Sequence, residues 1–169
     1  MHVLTACTRV ENLEKVAWSL LGYGTLDIRW HLRFDLDHQF VGGQRLKNEM
    51  LDEVKDGWVC FLDDDTVMHP SLLRRFDQTS AQLEDMDGLV VSQERRSGRI
   101  LHADQKNVTV GGIDVGQVIL HRQLIADTRI PEHYDGDGMF LQEVLLRGRI
   151  AYLDEVLSYH NALREEVTA

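Results

Sequence analysis

The sequence has no long apolar run: nothing in its 169 residues approaches the roughly 20 consecutive apolar positions of a membrane-spanning helix. Positive charge is also scarce. With 18 Lys and Arg against 28 Asp and Glu, the net charge is −10. That excludes nucleic acid as a general partner, because phosphate backbones need clustered cations. A nucleotide whose diphosphate is neutralised by a metal is not excluded. The two cysteines, Cys7 and Cys60, match no zinc-ligand spacing and fall in apolar, strand-like segments. They read as buried reduced thiols without a disulfide. Met1 to Arg9 lacks a basic stretch followed by an apolar core, so no signal peptide is expected and cytoplasm is the default compartment. Repeats, low-complexity tracts and linkers are absent. With 43% apolar and 27% charged residues, one domain of ordinary size is expected.

What is present centres on Trp58 to Pro70, W-V-C-F-L-D-D-D-T-V-M-H-P. Trp58 to Leu62 run without interruption into three consecutive carboxylates. Such a run fits a strand buried on both faces of a parallel sheet. If the chain stays extended, Asp63 and Asp65 point to one side and Asp64 to the other. Adjacent like charges repel unless something positive sits among them. A hard divalent cation is the simplest such partner. In the plainer alternative, one Asp caps the next helix and the others face water.

Val3 to Cys7 reads as a strand, and Thr8 with Glu11 has the spacing of a capping box. Leu13, Val16, Ala17, Leu20 and Leu21 then recur at helical spacing, with a stop at Gly22 and Gly24. Ile28 to Phe34 is a second strand, ending in Asp35 and Asp37. After Gly42-Gly43 a helix presents Leu46, Met50, Leu51 and Val54. The order β-α-β-α-β is that of a parallel sheet with helices on both faces. Beyond the cluster, Pro70 opens a helix with Leu72, Leu73, Phe76 and Leu83 inward, and Gly88 to Gln93 is a strand. Glu94 to Gln105, carrying Arg95, Arg96 and Arg99, reads as a hairpin or loop. Val108 to Gly112 and Gln117 to Leu120 read as short strands, and Met139 to Arg147 as a helix closed by Gly148. Ile150 to Leu153 and Val156 to Tyr159 are the last extended segments, before His160. Ligands of open α/β sheets bind outside the carboxyl ends of the strands. That rule gathers Thr8, Arg9, Asp35, Asp37 and Asp63 to Asp65 on one edge.

The run from Gly42 to Leu73, G-G-Q-R-L-K-N-E-M-L-D-E-V-K-D-G-W-V-C-F-L-D-D-D-T-V-M-H-P-S-L-L, resembles the nucleotide-sugar half of GT-A glycosyltransferases, closest to the family 2 type. The stretch from Asp135 to His160 resembles that family's acceptor-side helix, with an acidic residue before it and a glycine after. With T-A-C-T-R-V-E-N-L at the start, the resemblance covers most of the chain. It implies a three-layer α/β/α sandwich on a mixed, mostly parallel sheet, in one domain. Residues 1–90 would form the nucleotide-sugar half and 91–169 the acceptor half. It further implies a nucleoside diphosphate sugar donor, UDP-linked by default, with Mn²⁺ or Mg²⁺ bridging the diphosphate.

By the resemblance Asp65 is the direct metal ligand, Asp63 turns to ribose or metal, and Asp64 supports them. His160 is a late metal ligand or a surface residue; both readings stay open. Asp137 takes the position of the catalytic base, although the usual Glu-Asp pair here reads Gly136-Asp137, and Asp135 competes with it. Asp137 as a helix cap is compatible with either. Asp35 or Asp37 would meet the nucleobase, although the usual Asp-x-x-Ser is absent. Lys47 and Asn48 match an Arg-Asn pair, with Lys47 toward base or phosphate or else at an exposed helix start. Gly111-Gly112 lets backbone approach the sugar, or is a plain hairpin turn. The acceptor and the oligomeric state, a homo-oligomer included, stay open.

Two rivals remain. F-L-D-D-D-T-V also resembles the nucleophile motif of haloacid-dehalogenase-type phosphatases, with Asp63 attacking phosphate and Asp65 as acid/base. That motif normally opens the chain and needs a downstream lysine, and Lys106 is the only one after the cluster. The other rival is a shortened, non-catalytic nucleotide-sugar-binding domain, since the chain is small for the family.

Overall fold

The computed structural model describes residues 1–20, 27–82 and 85–164. The helix stop expected at Gly22 and Gly24, and the positions Leu21 and Leu83, lie outside the described residues. Val3 to Cys7 are buried, and the strand they form, β1 (His2–Cys7), lies inside the sheet. The strands β2 (Arg29–Phe34) and β3 (Trp58–Phe61) flank it in parallel. The helices α1 (Leu13–Leu20) and α2 (Gln44–Glu53) fall between them in sequence, so the expected β-α-β-α-β order holds.

The chain continues through β4 (Val67–Met68), α3 (Leu72–Gln82), β5 (Gly88–Arg95) and β6 (Ile100–Leu101). It ends with β7 (Val118–His121), α4 (Arg122–Ile125), α5 (Gly136–Leu145) and β8 (Ile150–His160). The strand order is β2-β1-β3-β7-β5-β8-β4, with β6 paired to β5. The longest pairings, β1 with β2 and β5 with β8, are parallel, while β7 runs antiparallel to β3 and β5.

Alternation sorts the strand side chains onto two faces. Leu4, Val59 and Phe61 join Met50 and Leu51 of α2 and Phe140 and Val144 of α5. Val3, Cys60 and Leu62 face the other way, with Val16 and Leu20 of α1 and Leu72 and Phe76 of α3. The three-layer α/β/α sandwich is therefore present. Cys7 and Cys60 are buried and free, as expected. No helix among the described residues is long and apolar enough to cross a membrane.

The structure departs from expectation in four places. Thr8 and Glu11 form no capping box, because Thr8 donates to Asp64 instead. Val108 to Gly112 is a turn, with Gly112 and Ile113 N–H both donating to the Thr109 carbonyl. Helix α5 starts at Gly136, earlier than its apolar face suggests. The two last extended segments are one strand, irregular where Asp154 and Glu155 fall outside the register with β5. Glu94 to Gln105 does contain a hairpin, between β5 and β6.

Gly42 (φ 55°) and Gly43 (φ 67°) turn the chain into α2 in the left-handed region. A Cβ on Gly43 would stand 2.4 Å from the Ala6 Cβ, so the start of α2 is pressed onto β1. Gly43→Ala is expected to cost about 1–3 kcal/mol, seen as a lower urea midpoint. An unchanged midpoint would show that α2 can move off the strand freely.

Candidate functional site

Strand β3 ends at Phe61, and residues 63–66 form a turn closed by Thr66 N–H donating to the Asp63 carbonyl at 3.0 Å. The three carboxylates therefore take three directions instead of the two of an extended chain. Asp64 turns back to the end of β1 and accepts from Thr8 N–H (2.5 Å), Thr8 Oγ1 (3.0 Å), Arg9 N–H (2.6 Å) and Arg9 Nη1 (2.8 Å). Those partners engage both of its oxygens.

Asp63 pairs with Lys47 Nζ at 2.7 Å. Burial on its own would raise the Asp63 pKa, but the Lys47 charge and hydrogen bond outweigh it and hold the group below its ordinary value. Asp65 lies 3.2 Å from Arg9 Nη1 and 3.2 Å from Arg164 Nε. Asn161, with its amide nitrogen turned inward, reaches Asp65 Oδ2 at 3.1 Å. Burial and the neighbouring Asp63 still push the Asp65 carboxyl up, past what the arginines offset.

Lys47 is 1% exposed, so the exposed-helix-start alternative does not hold. Burial disfavours its charge, yet Asp63, Asp137 and Asp114 together keep it protonated well above the usual lysine range. Its sequence neighbour Asn48 clamps a loop, donating to the Ile130 carbonyl (2.8 Å) and accepting from Ile130 N–H (2.9 Å). The Gln44 amide donates to the His133 carbonyl at 2.7 Å. Helix α2 thereby fixes the loop that delivers α5.

Asp137 lies in the first turn of α5, with Oδ1 shielded from solvent and unpartnered. Burial raises its pKa to about 6, with Asp63 and Asp114 adding to the rise and Lys47 opposing it. Gly136 explains the missing glutamate: a Cβ there would fall 2.0 Å from the Pro131 carbonyl oxygen. Asp135, the competitor, is exposed and makes no side-chain cap.

These groups open on one cavity of about 870 Å³, which Asp63 to Asp65, Lys47, Asp137 and His160 line together with Thr8 and Arg9. His160 Nδ1 is buried without a hydrogen bond, 3.9 Å from Asp114 Oδ2. Asp35 does not line the cavity. Its oxygens accept from Gln39 N–H (2.8 Å) and Phe40 N–H (3.0 Å), ordering the loop that brings His38 and Phe40 to the wall. Asp37 is exposed away from it. Gly111 is at the wall, whereas Gly112 packs into its own turn, where a Cβ would meet Thr109 Oγ1 at 2.5 Å.

Asp114, Arg164 and Asn161 were not foreseen. Asp114 caps a short turn by accepting from Gly116 N–H, a signal visible in Asp-x-Gly. Arg164 and Asn161 reach Asp65 only through the tertiary fold.

The donor chemistry suits a hard divalent cation: carboxylates of Asp63 and Asp65, plus the unsatisfied ring nitrogen of His160. The Asp65 pKa is raised first by burial and then by Asp63, with Arg9 and Arg164 opposing. Among the described residues no three such side chains close into a ready-made cluster.

Because Asp137 titrates near 6 when folded, against 3.8 ordinarily, the folded state holds this proton more tightly. Stability then falls as pH rises from about 4 to about 6 and stays reduced above that. Asp137→Asn is expected to be more stable than wild type at pH 8, by about 1–3 kcal/mol, with no difference below pH ~4. Urea denaturation at both pH values measures this, and equal stability at pH 8 would contradict a half-buried, ionising Asp137.

No family model matches the chain, and no curated protein matches its sequence. Solved structures do match its fold. Residues 1–349 of S. aureus TarS superpose with a TM-score of 0.71 at 16% identity, covering 94% of this chain and 59% of that one. The same TarS fragment in complex with UDP-GlcNAc gives 0.73 at 15% identity, covering 94% and 57%. A197 from STIV gives 0.60 at 17% identity, covering 94% and 84%. The chain thus spans under two thirds of the TarS fragment. TarS is a GT-A glycosyltransferase and A197 a glycosyltransferase. At these identities the likeness establishes architecture, and the architecture of this chain is GT-A-like.

Proposed function

We propose that this chain moves a sugar from a nucleoside diphosphate sugar, UDP-linked by default, to an acceptor hydroxyl. The observation that carries this reading is one cavity holding both the Asp63–Asp65 turn and a buried, unpartnered Asp137 oxygen. The GT-A-like fold is consistent with it, and its neighbour TarS has been captured with UDP-GlcNAc and with UDP.

Asp137 is the base. A carboxylate titrating near 6 is ionised at neutral pH yet basic enough to take the hydroxyl proton as the acceptor oxygen attacks the anomeric carbon. With Asp137 taking the hydroxyl proton for a single direct displacement, as the GT-A family 2 resemblance implies, the anomeric centre inverts. Lys47 keeps Asp63 ionised and in place. Asp64 holds Thr8 and Arg9 at the wall, and Asp65, Asp63 and His160 are the groups that would hold Mn²⁺ or Mg²⁺. When bound, that ion offsets the charge gathering on the departing diphosphate. Both cysteines are free and buried, in keeping with a reducing, cytoplasmic setting.

The phosphatase alternative needs a lysine beside Asp63 from later in the chain. Lys106 is exposed and outside the cavity, and the lysine that meets Asp63 comes from α2, before the cluster.

Calorimetric titration of UDP, then GDP, with and without Mn²⁺, tests the donor site. Metal-dependent binding that disappears in Asp65→Ala is expected. If neither UDP nor GDP binds under any metal, glycosyl transfer is set aside in favour of phosphatase assays. Asp137→Asn is expected to keep donor binding and lose turnover about 100-fold or more, and proton NMR of the first product to show the inverted anomer. Unchanged turnover would remove Asp137 as the base.

A further inference from the structure

The β5–β6 hairpin carries charge that the transfer step leaves unused. Its loop, residues 96–98, is closed by Arg95 N–H donating to the Arg99 carbonyl at 2.8 Å, with Gly98 at φ 80°. The register Gln93 to Leu101 and Glu94 to Ile100 sets Arg95 directly opposite Arg99. Alternation places both on the face of Gln93 and Leu101, which are buried. Like charges opposed across an antiparallel pair destabilise it, so the ribbon holds these two against its own stability. Both line the cavity.

The neighbouring arginines are engaged. Arg9 pairs with Asp64 and Asp65, Arg164 with Asp65, and Arg96 donates to the Arg164 carbonyl. Among the described residues neither Arg95 nor Arg99 meets a carboxylate, and Arg95 Nε is shielded from solvent with no partner. Gln93, two pairs inward on the same face, reaches Asp114 Oδ1 at 3.5 Å, so this face leads toward the surroundings of Asp137. His38 and Phe40, which follow β2, form another wall, and β1, β3 and β7 separate β2 from β5 in the sheet. A donor stretched from that wall to the Asp turn after β3 leaves the hairpin side to the second substrate.

We propose that Arg95 and Arg99 form a phosphoryl-binding subsite for the acceptor, which is a hydroxyl compound bearing a phosphate group. The proposal rests on the glycosyl-transfer reading for the word acceptor. Two guanidinium forks match the oxygens of a phosphate and discriminate against neutral sugars.

The test titrates inorganic phosphate into protein saturated with UDP and Mg²⁺, with acetate as control. Wild type binds phosphate. Arg95→Met/Arg99→Met weakens it at least tenfold while UDP affinity changes less than twofold, and Arg99→Met alone, at an exposed position, gives part of the loss. Phosphate binding that is equal in wild type and variant, or absent from wild type, overturns the subsite. Phosphate that only competes with UDP, together with tenfold weaker UDP binding in the variant, assigns the arginines to the donor and overturns the acceptor proposal. If no nucleotide binds wild type, the glycosyl-transfer reading fails by itself. The same phosphate titration on free protein then decides whether the arginines bind phosphate at all.

Discussion

A fully buried lysine holds this site together. Lys47 is 1% exposed, and its partner Asp63 lies 2.7 Å away. Desolvating an ammonium group costs several kcal/mol unless opposite charge surrounds it, and Asp63, Asp137 and Asp114 supply that charge from the turn after β3, the start of α5 and the approach to β7. One cation thus makes three separated carboxylates compatible. Without it, the repulsion between Asp63 and Asp137 would be offset only by the more distant charges of His160 and, for Asp63, Arg9.

The three consecutive aspartates divide their work through the turn that carries them. Asp63 faces the lysine, Asp64 ties the end of β1, and Asp65 faces the arginines and Asn161. Asp65 has its pKa displaced upward, whereas Lys47 holds that of Asp63 down. The most strained electrostatic position therefore belongs to the group expected to meet a metal, whereas the best-satisfied one, Asp64, is architectural. Perturbed titration in a cleft is a common mark of a working group.

Much of the frame was legible in the sequence because it depends on short-range pattern. The apolar run to Leu62, the helical spacing of Leu46, Met50 and Leu51, and the glycines before α2 led to the observed β-α-β-α-β half. The site was legible as a set of residues but less so as a geometry. Lys47 was placed at the site through its neighbour Asn48, but nothing local announces that it is buried. Thr8 has a capping spacing, yet Asp64, more than fifty residues later, outcompetes the helix end for its hydroxyl. Asp35 ends a strand where ligands gather, but its own loop consumes both oxygens. Arg164 has no motif, since only the completed sheet brings it to Asp65.

The chain after β8 docks on the Asp65 turn: Leu163 N–H donates to the Asp65 carbonyl at 3.1 Å, beside the Arg164 pair. Asp65 and Arg164 are therefore made far apart in time. At about 5–20 residues per second, the acidic turn waits on the order of 5–20 s for this partner during synthesis. For that interval the nascent chain carries an acidic loop whose final counter-charge has yet to be translated. The first half can lay down β1, β2 and β3 early, but the part of the cavity wall made by His160, Asn161 and Arg164 comes a hundred residues later.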